Sequence, residues 1–393
     1  MGSLNIFDRD KNRNILIAGI ITLIVGVGVA RFVFTSLLPF MLTDTLELTF
    51  AGILASINYV GYLSGAIFAV FIKDINTKVT FFRIGLVICV VTSAILGVTT
   101  DETLWLISRV IAGFGSAMAL VVGSAIVMTK LDFEDKTKAM GIHFSGIGFS
   151  ILITDILCRV ILSSYDWQDA WVILSIFAFV LSFYPLYILS FDKEVKQNVV
   201  KHKFDKSIFT FFVIIVIIAY FTEGVGFVVQ GTFLPDIINS LEGLENFGGL
   251  TWLMVGIAGV PSSIVLMRLA HRFGSINVII ASMFLQVIGI LIPTITTNIY
   301  LNLLSGVLYG GTFIGLVALF MNLSGKFAKH NPVVLMGAFT TAYGIGQVTA
   351  PLYAVWLTEK SGNYDLSLYV TAFIVSFGAL LLLAFKRFQL EKV

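Results

Sequence analysis

The sequence predicts an all-α membrane protein: twelve transmembrane helices in two six-helix, pseudo-symmetric bundles. Three observations carry this expectation. Of 393 residues, 58% are hydrophobic and only 12% charged, where a soluble protein carries about 25% charged residues. The basic residues fall on one side of the apolar segments. Motifs of the first half return in the second. A mean hydropathy of +0.97 leaves far too little polar surface to keep a domain of this size in water. The net charge of +2 excludes a nucleic-acid-binding surface of the usual kind.

A spanning helix needs about 20 mostly apolar residues. The first such segment is 14–42, too long for a removed signal peptide and without its cleavage flank. Next come 50–72, 80–99, 103–129, 138–162 and 168–190. Residues 191–207 follow, polar and charged, and read as a cytoplasmic linker between an N-terminal bundle, 1–190, and a C-terminal one, 208–393. The second set is 208–238, 248–270, 276–296, 299–323, 334–358 and 365–386. Spans beyond the minimum imply tilt or protrusion. With both ends inside, 21 of the 25 Lys and Arg lie in the termini and inner loops. This positive-inside bias places both termini in the cytoplasm. One missed helix would invert every later loop and destroy the pattern.

The repeat is visible in single residues. Ser36, Leu38 and Pro39 in the first span match Thr232, Leu234 and Pro235 in the seventh, at an offset of 196. Gly26-Val-Gly28 is echoed by Gly224-Val-Gly226, and Gly146-Ile-Gly148 by Gly344-Ile-Gly346, with a slip of two residues in the register. Parallel six-helix repeats are a transporter architecture with the solute site between the halves near the midplane.

Motifs then narrow the class. Arg109-Val-Ile-Ala-Gly113-Phe-Gly115 resembles the RxxxGxG signature that the major facilitator superfamily (MFS) carries on its fourth helix. The GxxxD-type signature of the loop after helix 2 survives only as Lys73, Asp74, Lys78 and Arg83. In its second-half copy, Leu269 to Gly274, His271 stands where Asp is usual. The antiporter Gly-Pro signature lacks its proline between Gly141 and Gly148. Narrower motifs are Gly28-Val-Ala-Arg31-Phe32, Tyr220-Phe-Thr-Glu-Gly224 and Tyr343-Gly344-Ile-Gly346-Gln347. They are similar to the YbfB/YjiJ-type bacterial branch of that superfamily. The resemblance implies the MFS fold and a bacterial inner-membrane secondary transporter.

Five ionisable residues fall at bilayer depth: Arg31, Arg109, Asp155, Arg159 and Glu223. Each costs about 2.5–3.5 kcal/mol on insertion scales, so each needs a partner, a wet cavity or a function. Arg31 can grip a carboxylate or phosphate with two hydrogen bonds. Its structural alternative is an ion pair with Glu223 or Asp155. A carboxyl in low dielectric holds its proton tightly, which makes Glu223 a candidate proton carrier. A permanent pair with an Arg is the alternative. Arg109 is a candidate for coupling or for an interfacial anchor. Asp155 and Arg159, spaced i,i+4, are ordered for an intrahelical pair, and a substrate anion competing for Arg159 would make them part of the coupling. His143 reads as a structural hydrogen-bonding group. Asn58, Tyr59, Tyr62, Gln230, Tyr309, Tyr343 and Gln347, with Thr312 and Thr340, are cavity candidates. Their alternative is interhelical hydrogen bonding.

The function expected is a secondary active transporter. It moves a small organic solute, anionic or zwitterionic, by alternating access with proton coupling. Export of amphipathic, drug-like compounds and lipid flipping are the alternatives. Cys89 and Cys158 sit in separate apolar spans and the four His are scattered. Neither a metal site, a cofactor nor an enzymatic centre is expected. There is no Walker pattern, and the Gly-x-Gly motifs lie inside spans, so no nucleotide site is expected. The partners expected are the solute, protons and lipid, for a monomer.

Overall fold

A computed structural model describes residues 11–131, 136–190, 208–327 and 332–391. The expected linker, 191–207, lies outside the described residues. Among those described there is no strand. Twelve long helices follow in order. In the first half they are α1 Asn12–Asp44, α2 Leu48–Phe71, α3 Ile75–Val98, α4 Glu102–Lys130, α5 Lys136–Leu162 and α6 Trp167–Ile188. In the second they are α7 Phe211–Asn239, α8 Gly248–Phe273, α9 Ser275–Ile295, α10 Ile299–Phe327, α11 Pro332–Ser361 and α12 Asp365–Phe385. Eleven are long and apolar enough to cross a membrane by length and composition. The other, α11, spans 30 residues, but Thr340, Thr341, Tyr343, Gln347 and Thr349 crowd its middle.

Local chemistry sets the helix starts. Asp74, Asp101 and Asp166 are N-caps, each accepting the backbone N–H of the residue three positions on. The cap draws α3 to begin at Ile75, ahead of the apolar limit at 80. The N–H and hydroxyl of Thr77 hold the Asp74 carboxyl below its ordinary range. Gly274 alone joins α8 to α9, with a φ of 85° that favours glycine.

The most apolar stretches of α1 and α7 are 78% buried, against 39% for α6 and α12. The first pair is therefore central and the second peripheral. Two bundles result, joined along α5–α8, α2–α11 and α1–α7. Cross-bundle hydrogen bonds fix the seams. Ser263 Oγ donates to the Gly141 carbonyl at 3.0 Å, Ser56 Oγ to Val348 at 2.6 Å and Thr35 Oγ1 to Gly231 at 2.6 Å.

The packing corrects the expected slip of the repeat at the glycines. A Cβ on Gly148 would lie 2.3 Å from the Gly259 carbonyl carbon, and one on Gly344 would lie 2.7 Å from Leu63 Cδ1. Gly148 to Gly344 and Leu63 to Gly259 are both steps of 196. Gly28 meets Ser150 as Gly224 meets Gly346, again at 196. The offset set by Pro39 and Pro235 therefore holds through both seams. The Gly-x-Gly strings mislead because in α5 and α11 the cross-bundle glycine is the second of one pair and the first of the other.

Ile24–Phe32 in α1 and Met118–Val122 in α4 are π-helical, a local widening common at functional sites. The two stretches meet where Gly26 lies against Ala119. Gly26 and Gly28 thus sit at a change of helical pitch, and Arg31 lies on it.

Candidate functional site

Arg31 is buried, 7% exposed, at the centre of the molecule. Its guanidinium carbon lies 4.8 Å from the Tyr59 ring centroid and 4.6 Å from that of Tyr62. Both rings come from α2, and such cation–π contacts stabilise a desolvated cation by about 2 kcal/mol each. Nε and Nη2 of Arg31 have no hydrogen-bond partner among the described residues. No ion pair of Arg31 with Glu223 or Asp155 forms.

Aromatic rings of the second bundle complete the surroundings. Phe227 of α7 meets Tyr59 edge-on at 6.4 Å across the bundle interface. Tyr343 of α11 stacks on Tyr220 at 4.5 Å and lies 5.9 Å from Phe227. Tyr309 of α10 stacks on Phe313 at 4.9 Å, while its hydroxyl donates to the Phe227 carbonyl at 2.8 Å. The structure thus gathers Arg31, Tyr59, Tyr62, Tyr309 and Tyr343. At an offset of 196, Phe227 is the counterpart of Arg31, so one cation in the first half faces an aromatic wall in the second.

Asn58 holds α2 to α4: its Nδ2 donates to the Arg109 carbonyl at 2.9 Å. Arg109 donates from Nη1 to the Ala30 carbonyl at 3.1 Å and lies 4.7 Å from the Phe34 ring centroid. Its buried Nε has no partner. A water-sized cavity opens between the two arginines, lined also by Thr35, Asn58, Tyr59 and Thr232.

Glu223 is fully buried within the second bundle. Its carboxyl faces Gln286 of α9 and Tyr343, and neither oxygen makes a hydrogen bond of good geometry. Gln286 was not a sequence-derived candidate. Its one signal is a lone amide in the otherwise apolar run Phe284 to Leu291, and both its amide atoms are also unpartnered. Gln230 and Gln347 are buried as well; both amide atoms of the first and Oε1 of the second lack partners. Tyr343 stands between the two regions, adjoining Glu223 on one side and the Arg31 surroundings on the other.

Asp155 and Arg159 lie apart from this centre. Arg159 Nε donates to Asp155 Oδ2 at 2.8 Å, and Ser36 Oγ donates to Oδ1 at 3.2 Å. Arg159 is partly exposed and packs on Gly249 at the start of α8. The pair therefore bridges α5, α1 and α8. His143 is buried and shares a 2.7 Å hydrogen bond with Ser124.

A twelve-helix, two-bundle membrane fold with polar groups buried at its centre defines a multi-pass transporter of the major facilitator type. The chain belongs to the family described as "Uncharacterised MFS-type transporter YbfB", whose model matches residues 23–383. Over 137 residues it is 30% identical to the multidrug efflux pump SdrM of Staphylococcus aureus (strain N315). That match spans 35% of this chain and 30% of the pump. A crystal structure of a mutant of the nucleoside transporter NupG superposes with a TM-score of 0.73 at 13% identity. It covers 94% of this chain and 99% of that one, a likeness of fold.

Proposed function

We propose that this protein is a proton-coupled secondary transporter for a small organic solute with an anionic or zwitterionic group. The observation that carries the reading is Arg31, a buried cation with no carboxylate partner, ringed by aromatic side chains from both bundles. The guanidinium grips the anionic group, and Tyr59, Tyr62, Phe227 and Tyr343 contact the apolar part of the solute. Gln230 and Gln347 supply polar contacts. Units 1–190 and 208–393 rock about this centre, exposing it to each side in turn. Glu223 carries the proton, and its neighbour Tyr343 passes the change to the solute site. Asp155, Arg159 and Arg109 tie helices whose spacing changes as the units rock. The protein works as a monomer in a bacterial inner membrane, with both termini in the cytoplasm.

Reconstitution into proteoliposomes tests this reading. Labelled organic acids, amino acids and nucleosides are screened for uptake driven by an imposed pH gradient. Arg31→Ala is expected to abolish uptake of whichever solute is carried. Full uptake by that variant would overturn the central role of Arg31.

A second reading is export of amphipathic compounds, favoured by the aromatic lining and by the local similarity to an efflux pump. Dye accumulation in cells that express the protein separates the two directions.

A further inference from the structure

We infer that Arg31 and Arg109 jointly form a binding site for one compact monovalent anionic group, in the cavity between α1, α2, α4 and α7. The group is a halide ion or the carboxylate of a small solute. The carboxylate source rests on the transport reading above, whereas the halide source stands without it.

The first argument is charge. Arg31 and Arg109 are 7% and 3% exposed, and the cavity they flank is lined also by Thr35, Asn58, Tyr59 and Thr232, with no acid. Of the two buried acids within the spans, Asp155 is held by Arg159 and Ser36. Glu223 faces Gln286 and Tyr343. Two guanidinium groups thus remain buried without a counter-charge, an arrangement that costs several kcal/mol per ion unless a partner supplies it. Aromatic faces offset only part of this cost.

The second argument is donor geometry. Arg31 Nε, Arg31 Nη2 and Arg109 Nε are buried N–H groups without an acceptor in good geometry, and among the described residues the only acceptors facing Arg31 are the neutral hydroxyls of Tyr59 and Tyr62. Buried donors are satisfied in the great majority of proteins. The bond from Arg109 Nη1 to the Ala30 carbonyl seats Arg109 against the residue that precedes Arg31, so both cations are fixed on one stretch of α1. That stretch is π-helical.

The third argument is the repeat. Gly113 presses on the Asn58 carbonyl as Gly310 presses on that of Val255, both pairs at an offset of 197. At that offset the counterpart of Arg109 is Gly306; at 196 the counterpart of Arg31 is Phe227. The second bundle packs with neither cation, so the scaffold does not need them. The size of the cavity sets the ligand. A space for about one water admits a chloride or one carboxylate oxygen once the flanking side chains part slightly, and is too narrow for a tetrahedral oxyanion.

The test uses purified full-length protein in detergent. Sodium sulfate, whose tetrahedral anion the cavity does not take, is exchanged for sodium chloride, or for sodium formate, at constant ionic strength while thermal unfolding is followed. A saturable rise in Tm with either small anion is expected, since a ligand bound only to the folded state stabilises it. Arg31→Gln and Arg109→Gln should each weaken apparent affinity by roughly tenfold or more, and Lys326→Gln, at an exposed position, should not. Should a glutamine variant fail to fold, Arg109→Lys keeps the charge and loses the planar fork, and weaker binding is again expected. No saturable shift in the wild type, or an equal shift in both glutamine variants, would overturn the site. Displacement of radiolabelled chloride by lactate assigns it to a carboxylate, and retention of chloride assigns it to a halide. Absent anion binding beside intact solute transport would overturn this inference alone.

Discussion

Adding one methyl group at Gly113 should separate α2 from α4. A Cβ there would lie 1.9 Å from the Asn58 carbonyl oxygen and 2.7 Å from the Tyr62 backbone nitrogen. Ordinary contact begins at 3.4 Å, so the helices must part by about 1.5 Å. Both obstructing atoms belong to the backbone and cannot rotate away. The 2.9 Å hydrogen bond from Asn58 to the Arg109 carbonyl would then stretch past the roughly 3.5 Å at which such a bond is lost. Overpacking costs about 1–3 kcal/mol, and the lost hydrogen bond about 0.5–1.5 kcal/mol more. Gly113→Ala should therefore lower the apparent Tm of the detergent-solubilised protein by roughly 2–5 °C. The repeat extends the expectation to Gly310→Ala, whose Cβ would lie 2.2 Å from the Val255 carbonyl oxygen. Its neighbour Gly311 has nothing within 4 Å, and Gly311→Ala is the control, expected to melt no lower than wild type. Equal melting of all three variants would refute the argument from close helix approach.

Two further outcomes follow from the same geometry. Glu223→Gln keeps the shape of the side chain against Gln286 and Tyr343 while removing the titrating proton. Uptake driven by a pH gradient in proteoliposomes should be lost while exchange of solute across the membrane persists, and pH-driven uptake equal to wild type would remove Glu223 from coupling. A Cβ on Gly141 lies 3.5 Å from Ile264 Cγ1 and 4.0 Å from its Cα, so Gly141→Cys with Ile264→Cys brings two thiols within reach of each other. In a background with Cys89 and Cys158 replaced, oxidation should stop transport by pinning α5 to α8, and reduction should restore it. Transport undiminished by the cross-link would exclude rocking at that seam.

Much of the fold is legible in the residue string. Burying apolar side chains in lipid demands long uninterrupted segments, so the spans declare themselves by composition. Asp74, Asp101 and Asp166 mark helix starts by a local mechanism that needs no tertiary contact. Pro39 and Pro235 reveal the repeat. The π-helical stretch carrying Arg31 was not legible, because it depends on how α1 packs against α4. Gln286 was missed for a related reason: an isolated amide in an apolar span gains meaning only when another helix brings Glu223 to face it.

The sequence by itself determined that this is a twelve-span membrane protein of a transporter family, and it supplied the short roster of buried charges. Only the tertiary structure decided how those charges are matched. Asp155 and Arg159 pair within one helix at a spacing visible in sequence. Arg31 and Arg109 come together from different helices around one cavity, while Glu223 turns into the other bundle toward Gln286 and Tyr343. The physical reason is range. Hydropathy and capping act within a few residues along the chain, whereas desolvated charges are governed by neighbours brought together across dozens or hundreds of residues by helix packing.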